Sequence, residues 1–495
     1  MTESLPDPNT SSPASVARAS WSDLLKGRNG LLSLALTGGV ALHAINVHIV
    51  TTVLPSVVMD IGGLDWYAWN TTLFVVASIA GAALSVRLLA ALGPRGACIV
   101  ALAVFTVGSS VCASAGSMAW MLSGRSVQGL GGGALAALSY ALIQVVFAPR
   151  LWPRAVALVS GMWGVATLCG PAVGGLFAQY GHWRGAFWML LPIGLFQALL
   201  VAFKLRPVNE GKGESAATAE PRHERALKPA IPALQIFLLA SSVLSVAAAS
   251  LSPMLAVQGL AVAAGLALGV AAVSVDRRAV VRLLPSGALA LKSPLGVVYA
   301  SIALLLVGTT TEIYVPYFLQ TLHGYTPLAA GYLTASMAAG WSVASLLSSG
   351  RQGESAARLL RSGPVLCTAG LLFLALLVPA GDRWAPGALM LSCGLALAGV
   401  GAGVGIGWPH LLTRVLTLAP PGEGGMASAA ITTVQLYGMA IGAAVAGLVA
   451  NSAGLIQPGG ATGAKSAAIW LFASFSLAPL MAAVLARRIT HQQHS

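Results

Sequence analysis

The chain has 495 residues, 57% hydrophobic and only 8% charged, with a formal net charge of +13 and a mean hydropathy of +0.81. A soluble globular domain carries roughly 25% charged residues, so that class is excluded. A nucleic-acid-binding reading of the positive balance falls with it, because the charges sit in short segments between apolar runs.

Residues 1–27 are rich in Ser, Pro, Thr and Asn and lack an apolar core, so a disordered tail is expected there rather than a cleavable signal. A spanning helix needs about 20 mostly apolar residues. Runs of that kind follow near 31–57, 68–92, 96–116, 118–147, 153–180 and 185–205. A polar linker, 207–231, separates them from two further runs at 232–252 and 254–275 and a short basic segment. The last six runs lie near 294–320, 327–349, 363–380, 386–413, 426–451 and 466–486. The expected fold is an all-α membrane protein of fourteen spans. It has a six-helix bundle over 28–206, two extra central helices within 232–293, a second six-helix bundle over 294–488, and a tail, 489–495.

The charges orient these spans. With the N-terminus inside, 23 of the 27 Lys and Arg fall in inner segments; Arg184, Arg383 and Lys465 fall outside, and Arg125 lies within a span. That asymmetry is the positive-inside pattern, so both termini are expected in the cytoplasm and the protein in the inner cell membrane. Cys98, Cys112, Cys169, Cys367 and Cys393 are widely separated and have no CxxC spacing. Neither a disulfide framework nor a metal site follows, and no cofactor is expected.

Two segments carry the densest signals. The run 122–134, LSGRSVQGLGGGA, puts an arginine within a span, where a charge costs at least a few kcal/mol and marks function. Arg125 and Gln128 lie three apart on one helix face, while Gly129 and Gly131 allow close helix packing. A purely structural alternative has Arg125 tying helices together through carbonyls and amides. In the second segment, GPAVGG at 170–175, Pro171 removes a backbone donor and bends the helix. Gly170, Gly174 and Gly175 let a neighbouring helix approach.

Of the 14 acids, only Glu312 stands deep in an apolar run, in GTTTEIYVPYF. Desolvation disfavours its charged form, which suits a protonation cycle, although an ion-paired or hydrogen-bonded structural acid is the alternative. His43 and His48, in the first span, are further titratable groups. Arg125 lies ~10 Å and Glu312 ~12 Å inside the outer ends of their spans at 1.5 Å per residue.

These motifs resemble those of the major facilitator superfamily, and in particular its drug:proton antiporters. The run 125–133 looks like RxxQGxG, and 170–175 looks like the GPxxGG antiporter motif. WRGAFWMLLPIG at 183–194 is similar to the WRxxF…PxG entry into helix 6, and VPYFLQTLHGYTPLAAG at 315–331 resembles the corresponding segment of the fourteen-helix, EmrB/QacA-like branch. Two departures stand out. The loop motif GxLaDRxGRR reads VRLLAALGPR here, so Gly93 and Arg95 remain but Ala90 replaces the acid. In the first span INVHIVTTVLP replaces LDxTIVNVALP, so Asn46 stands at the usual acid and His48 at the following threonine.

The resemblance implies a secondary active, monomeric transporter working by alternating access, with protons and a small amphiphilic substrate as partners. It places Arg125 and Glu312 on facing cavity walls, where they are expected to couple proton flow and to approach one another when the outer side closes. Asn46, His48, Gln128, Tyr314, Tyr317, Gln320 and Trp408 would line the remaining amphiphilic wall. The expected activity is proton-coupled efflux. The alternatives are export or symport of an endogenous metabolite, a transporter-like sensor, or a membrane-embedded enzyme. An enzyme would need a cluster of acids, histidines or a nucleophile at one membrane face.

Overall fold

The computed structural model describes residues 21–205, 231–380 and 384–491. The expected tail up to residue 20, the linker 207–231 except its last residue, and residues 492–495 lie outside these limits. Among the described residues every regular element is helical. The first half comprises α1 (Trp21–Leu25), α2 (Gly27–Ile61), α3 (Trp69–Ala113), α4 (Met118–Val146), α5 (Trp152–Gln179), α6 (Trp183–Trp188) and α7 (Leu190–Lys204). Next come α8 (Ala233–Ala249) and α9 (Leu255–Arg278). The second half comprises α10 (Pro294–Thr309), α11 (Val315–His323), α12 (Pro327–Ser348), α13 (Gly353–Leu377), α14 (Pro386–Gly405), α15 (Trp408–Thr417), α16 (Gly424–Ala450), α17 (Gly460–Phe475) and α18 (Leu477–His491).

Eleven helices among the described residues are long and apolar enough to cross a membrane. One of these, Leu64–Ala113, has 50 residues, far beyond the ~20 that a bilayer core accommodates. It is two rods meeting at Gly93, whose φ of 66° suits glycine and breaks the helix just before Pro94. Two more rods, α8 with 17 residues and α12 with 22, stand beside the eleven.

Several boundaries differ from the sequence reading. The segment 21–27 is not part of a loose tail, since α1 buries Leu24 completely and Ser33 Oγ donates to the Leu24 carbonyl at 3.1 Å. The run 294–320 is interrupted by a 3-10 turn, Thr310–Tyr314, with Pro316 at the start of α11. The run 386–413 is interrupted between Gly405 and Trp408, with Pro409 next. The rod expected at 363–380 starts earlier, at Gly353, where an exposed Glu354–Arg358 pair at 3.3 Å supports its first turn.

Glycine rows set the packing of both halves. Helix α4 is wedged between the two rods of α3. A Cβ at Gly129 or Gly133 would strike the backbone of Phe74 or Ser78 on one rod; at Gly131 it would strike Phe105 on the other. In the second half α14 is wedged likewise. Gly401 and Gly405 press on Met337 and Trp341 of α12, and Gly403 presses on Cys367 of α13. Such contacts bring backbones close where lipid gives no hydrophobic drive.

The two ends of the molecule differ. At the end away from the start of α2, here the far end, Arg184 pairs with Asp60 at 2.6 Å and donates to the Ala115 carbonyl at 2.7 Å. There the halves also meet. Asn451 Nδ2 donates to the carbonyls of Asp65 and Ser250, both at 3.0 Å, and the Tyr332 hydroxyl donates to the Leu168 carbonyl at 3.2 Å. The far end is therefore shut.

At the near end Glu423 clasps the basic segment after α9. It accepts from Ser286 N at 2.6 Å, Ser286 Oγ at 2.8 Å and Arg282 Nη2 at 3.3 Å. The Ser286 amide foremost, then its hydroxyl and Arg282, hold this carboxyl below the usual carboxylate range. Its contribution to stability is thus present above the ordinary pKa of ~4.3 and is lost as pH falls through the depressed value. Protease nicking of 279–293 should stay slow at neutral pH and accelerate only in acid, whereas Glu423→Gln should be nicked faster already at pH 7.

Candidate functional site

The motif on α4 builds a buried polar cluster inside the first half. Arg125 is 2% exposed. Its Nη1 donates to Gln128 Oε1 at 2.5 Å and its Nε to the Asn70 carbonyl at 3.2 Å. The guanidinium also lies 4.0 Å from the centroid of Phe74. Gln128 in turn donates from Nε2 to Ser109 Oγ at 2.8 Å. The expected pairing of Arg125 and Gln128 on one face is thus realised. A carbonyl, an amide oxygen and an aromatic face thus contact the guanidinium in place of the expected counter-charge.

The polar face of α2 borders this cluster. His43 stacks on Phe74 with centroids 5.4 Å apart and meets Trp163 edge-on at 6.0 Å. Its Nδ1 and both amide atoms of Asn46 are buried without a hydrogen-bond partner in the protein. His48 is half-buried and packs against Gly170, the first residue of GPAVGG. Gly93 forms the turn inside α3, with Arg95 just beyond it.

In the second half Glu312 sits within the 3-10 turn, partly buried. The direct contact expected between Arg125 and Glu312 is absent: among the described residues neither forms an ion pair, and Gln128 and Asn70 hold the guanidinium instead. Tyr314 is completely buried and stacks on Tyr67 at 4.9 Å, and Tyr317 meets Tyr67 edge-on at 5.6 Å. Both tyrosines therefore belong to the shut far end. Gln320 is half-buried, and its Nε2 has no protein partner. Trp408 packs edge-on against Trp341 at 4.8 Å near the start of α15.

The GPAVGG segment joins the halves. Pro171 and Thr52 lie against Gly331, and a Cβ at Gly175 would stand 2.6 Å from Leu328 Cα on α12. Gly170 and Gly174 face α2 at His48 and Ile49. Gly175→Ala is therefore expected to lever α5 from α12 and loosen the far end. A single cysteine at the buried Thr52 should then react several-fold faster with a membrane-impermeant thiol reagent. Unchanged reactivity would limit Gly175 to packing.

Sequence reasoning missed Tyr67, Asn70, Phe74 and Ser109, which have no motif of their own. The glycine row 401–405 was open to discovery, since GVGAGVG repeats the small-residue signal of α4. Among the described residues no group of three His, Cys, Asp or Glu stands close enough to hold a metal ion.

Apolar rods in two halves, wedged by glycines, shut at one end and enclosing a buried arginine define a polytopic membrane protein. Residues 36–443 match the Major Facilitator Superfamily, and the chain belongs to it. It is 37% identical over 477 residues to a "Probable multidrug-efflux transporter" of Mycobacterium tuberculosis (strain ATCC 25618 / H37Rv), covering 96% of this chain and 97% of that one. Among solved structures, a bacterial homolog of the human lysosomal transporter Spinster, inward-facing and occupied, aligns with a TM-score of 0.60. The identity is 15%, over 94% of this chain and 97% of that one. A mutant of the peptide transporter POT, in complex with alafosfalin, aligns with a TM-score of 0.64 at 15% identity, over 97% and 98% of the two chains. The protein is a transporter, not an enzyme.

Proposed function

We propose that this transporter exports small amphiphilic compounds by alternating access, driven by inward proton flow. The observation that carries the export reading is the seating of GPAVGG in the contact between the halves, in a chain 37% identical to a named efflux transporter. Glu312 carries the proton, and Arg125 provides the fixed positive charge on the opposite wall. Asn46 and Gln320, with amide atoms that have no partner in the protein, and His48 offer polar anchors on otherwise apolar walls, which suits amphiphilic solutes. The two rods of α3, together with α8 and α12, support a reading of fourteen spans beside the other candidates, which fits the fourteen-helix antiporter branch. The distribution of Lys and Arg then puts both termini in the cytoplasm of the inner membrane and the shut far end outside. The protein works as a monomer.

The test is flux in proteoliposomes over a panel of amphiphilic compounds with an imposed pH gradient. Export predicts that substrate moves against the proton. Movement with the proton would make it a symporter, and flux indifferent to the gradient would leave a facilitator or sensor.

A further inference from the structure

We propose that Tyr67 and Tyr314 are the gate of the far end, and that Arg125 and Glu312 act on this gate from its two sides without touching each other. The proposal rests on the alternating-access reading, but it is read out on the geometry of the gate rather than on transport.

Tyr67 follows the short turn Leu64–Trp66 in the connection between α2 and α3, a loop position where a tyrosine would ordinarily be wet. Its exposure is nevertheless 0%. The ring is seated in the second half, stacked on Tyr314 at 4.9 Å and edge-on to Tyr317 at 5.6 Å. Behind it Tyr314 stacks on Phe318 at 5.8 Å, and Phe318 meets Phe472 at 6.1 Å. One half thus supplies a plug and the other an aromatic socket. The far end cannot open without drawing the plug out.

Each polar residue connects to one member of the pair. Asn70 Nδ2 donates to the Tyr67 carbonyl at 3.3 Å, and the Asn70 carbonyl accepts from Arg125 Nε at 3.2 Å. One residue therefore links Arg125 to the plug. On the other side Tyr314 closes the same 3-10 turn that contains Glu312. Such turns are poorly hydrogen-bonded and often mark hinges, so a change at Glu312 that repacks the turn rotates Tyr314.

The gate also carries its own release. The Tyr67 hydroxyl is buried without a hydrogen-bond partner in the protein. An unpaired buried hydroxyl works against the state that buries it. At this ring, closure is therefore held by aromatic contact and opposed by the hydroxyl that the contact buries.

The experiment uses the full-length chain in lipid nanodiscs, with the five native cysteines replaced and spin labels at Met59→Cys and Thr321→Cys. Both positions are exposed at the far end, one on each half. Pulsed electron paramagnetic resonance then gives the populations of short and long distances. Tyr67→Phe should reduce the open population by about fivefold, because only the unpaired hydroxyl is lost. Tyr67→Ala should raise it by about tenfold, because the aromatic stack is lost. Arg125→Gln should raise it in the native background but add nothing to Tyr67→Ala, since both act through one ring. Asn70→Ala, which keeps the carbonyl that Arg125 holds but removes the amide bonded to the Tyr67 carbonyl, cuts the link at its other end should Arg125→Gln fail to fold. An unchanged or larger open population in Tyr67→Phe, a closed Tyr67→Ala, or independent addition of the two effects would overturn the gate. A native protein whose distance is fixed with and without substrate and at every pH would overturn alternating access itself.

Discussion

Glu312→Gln is expected to reduce gradient-driven efflux to the background of empty vesicles while downhill exchange of substrate continues. The amide has nearly the shape of the carboxylic acid, so packing in the 3-10 turn is kept. The neighbouring hydroxyls of Thr309, Thr310 and Thr311 bond to carbonyls of their own helix at 2.8, 2.7 and 3.3 Å and do not depend on the acid. What disappears is the ability to bind and release a proton within an apolar rod. Substrate can still cross when the two halves rock, but nothing ties that motion to the pH gradient. The decisive comparison sets uptake into everted vesicles under an imposed gradient against counterflow without one. Unimpaired uphill transport would move the coupling to His43 or His48, which are buried or half-buried beside the first-half cluster.

Much of this architecture was legible in the amino acids because hydropathy and charge register which segments enter lipid. The breaks inside the rods were not. In 294–320 and 386–413 the composition stays apolar through the Thr310–Tyr314 turn and past Gly405, and hydropathy is blind to backbone torsion. The contact of Arg125 with Gln128 was readable because helical spacing alone brings i and i+3 together. The contact with Asn70 was not, because its acceptor is a backbone carbonyl that almost any residue would supply. Matched depth suggested an approach of Arg125 to Glu312, but depth fixes only one coordinate. The guanidinium instead found its partners on α3 and α4 within its own half. Tyr67 was hidden for a different reason. A short loop between spans looks the same in sequence whether its aromatic residue faces water or the other half of the protein.

Arg125→Ala should cost the protein its folding yield before any question of transport arises. Truncation leaves Gln128 Oε1 without its donor in an apolar interior, takes the second donor from the Asn70 carbonyl and opens a void beside Phe74. Each unsatisfied buried group costs about 1–3 kcal/mol and the void adds to that, for a total of about 3–5 kcal/mol. Arg125→Lys should fall between. A lysine keeps the charge but lacks the planar fork that serves Gln128 and Asn70 while lying over the Phe74 ring. Because Glu312 is not a partner of Arg125, adding Glu312→Gln to Arg125→Ala should recover none of the lost yield. The amount of monodisperse protein surviving a heating series in detergent, followed by size-exclusion chromatography, measures all three variants. Recovery in the double variant would mean that the two charges do meet in another state of the transport cycle, and that the unpaired carboxyl had been the source of the damage.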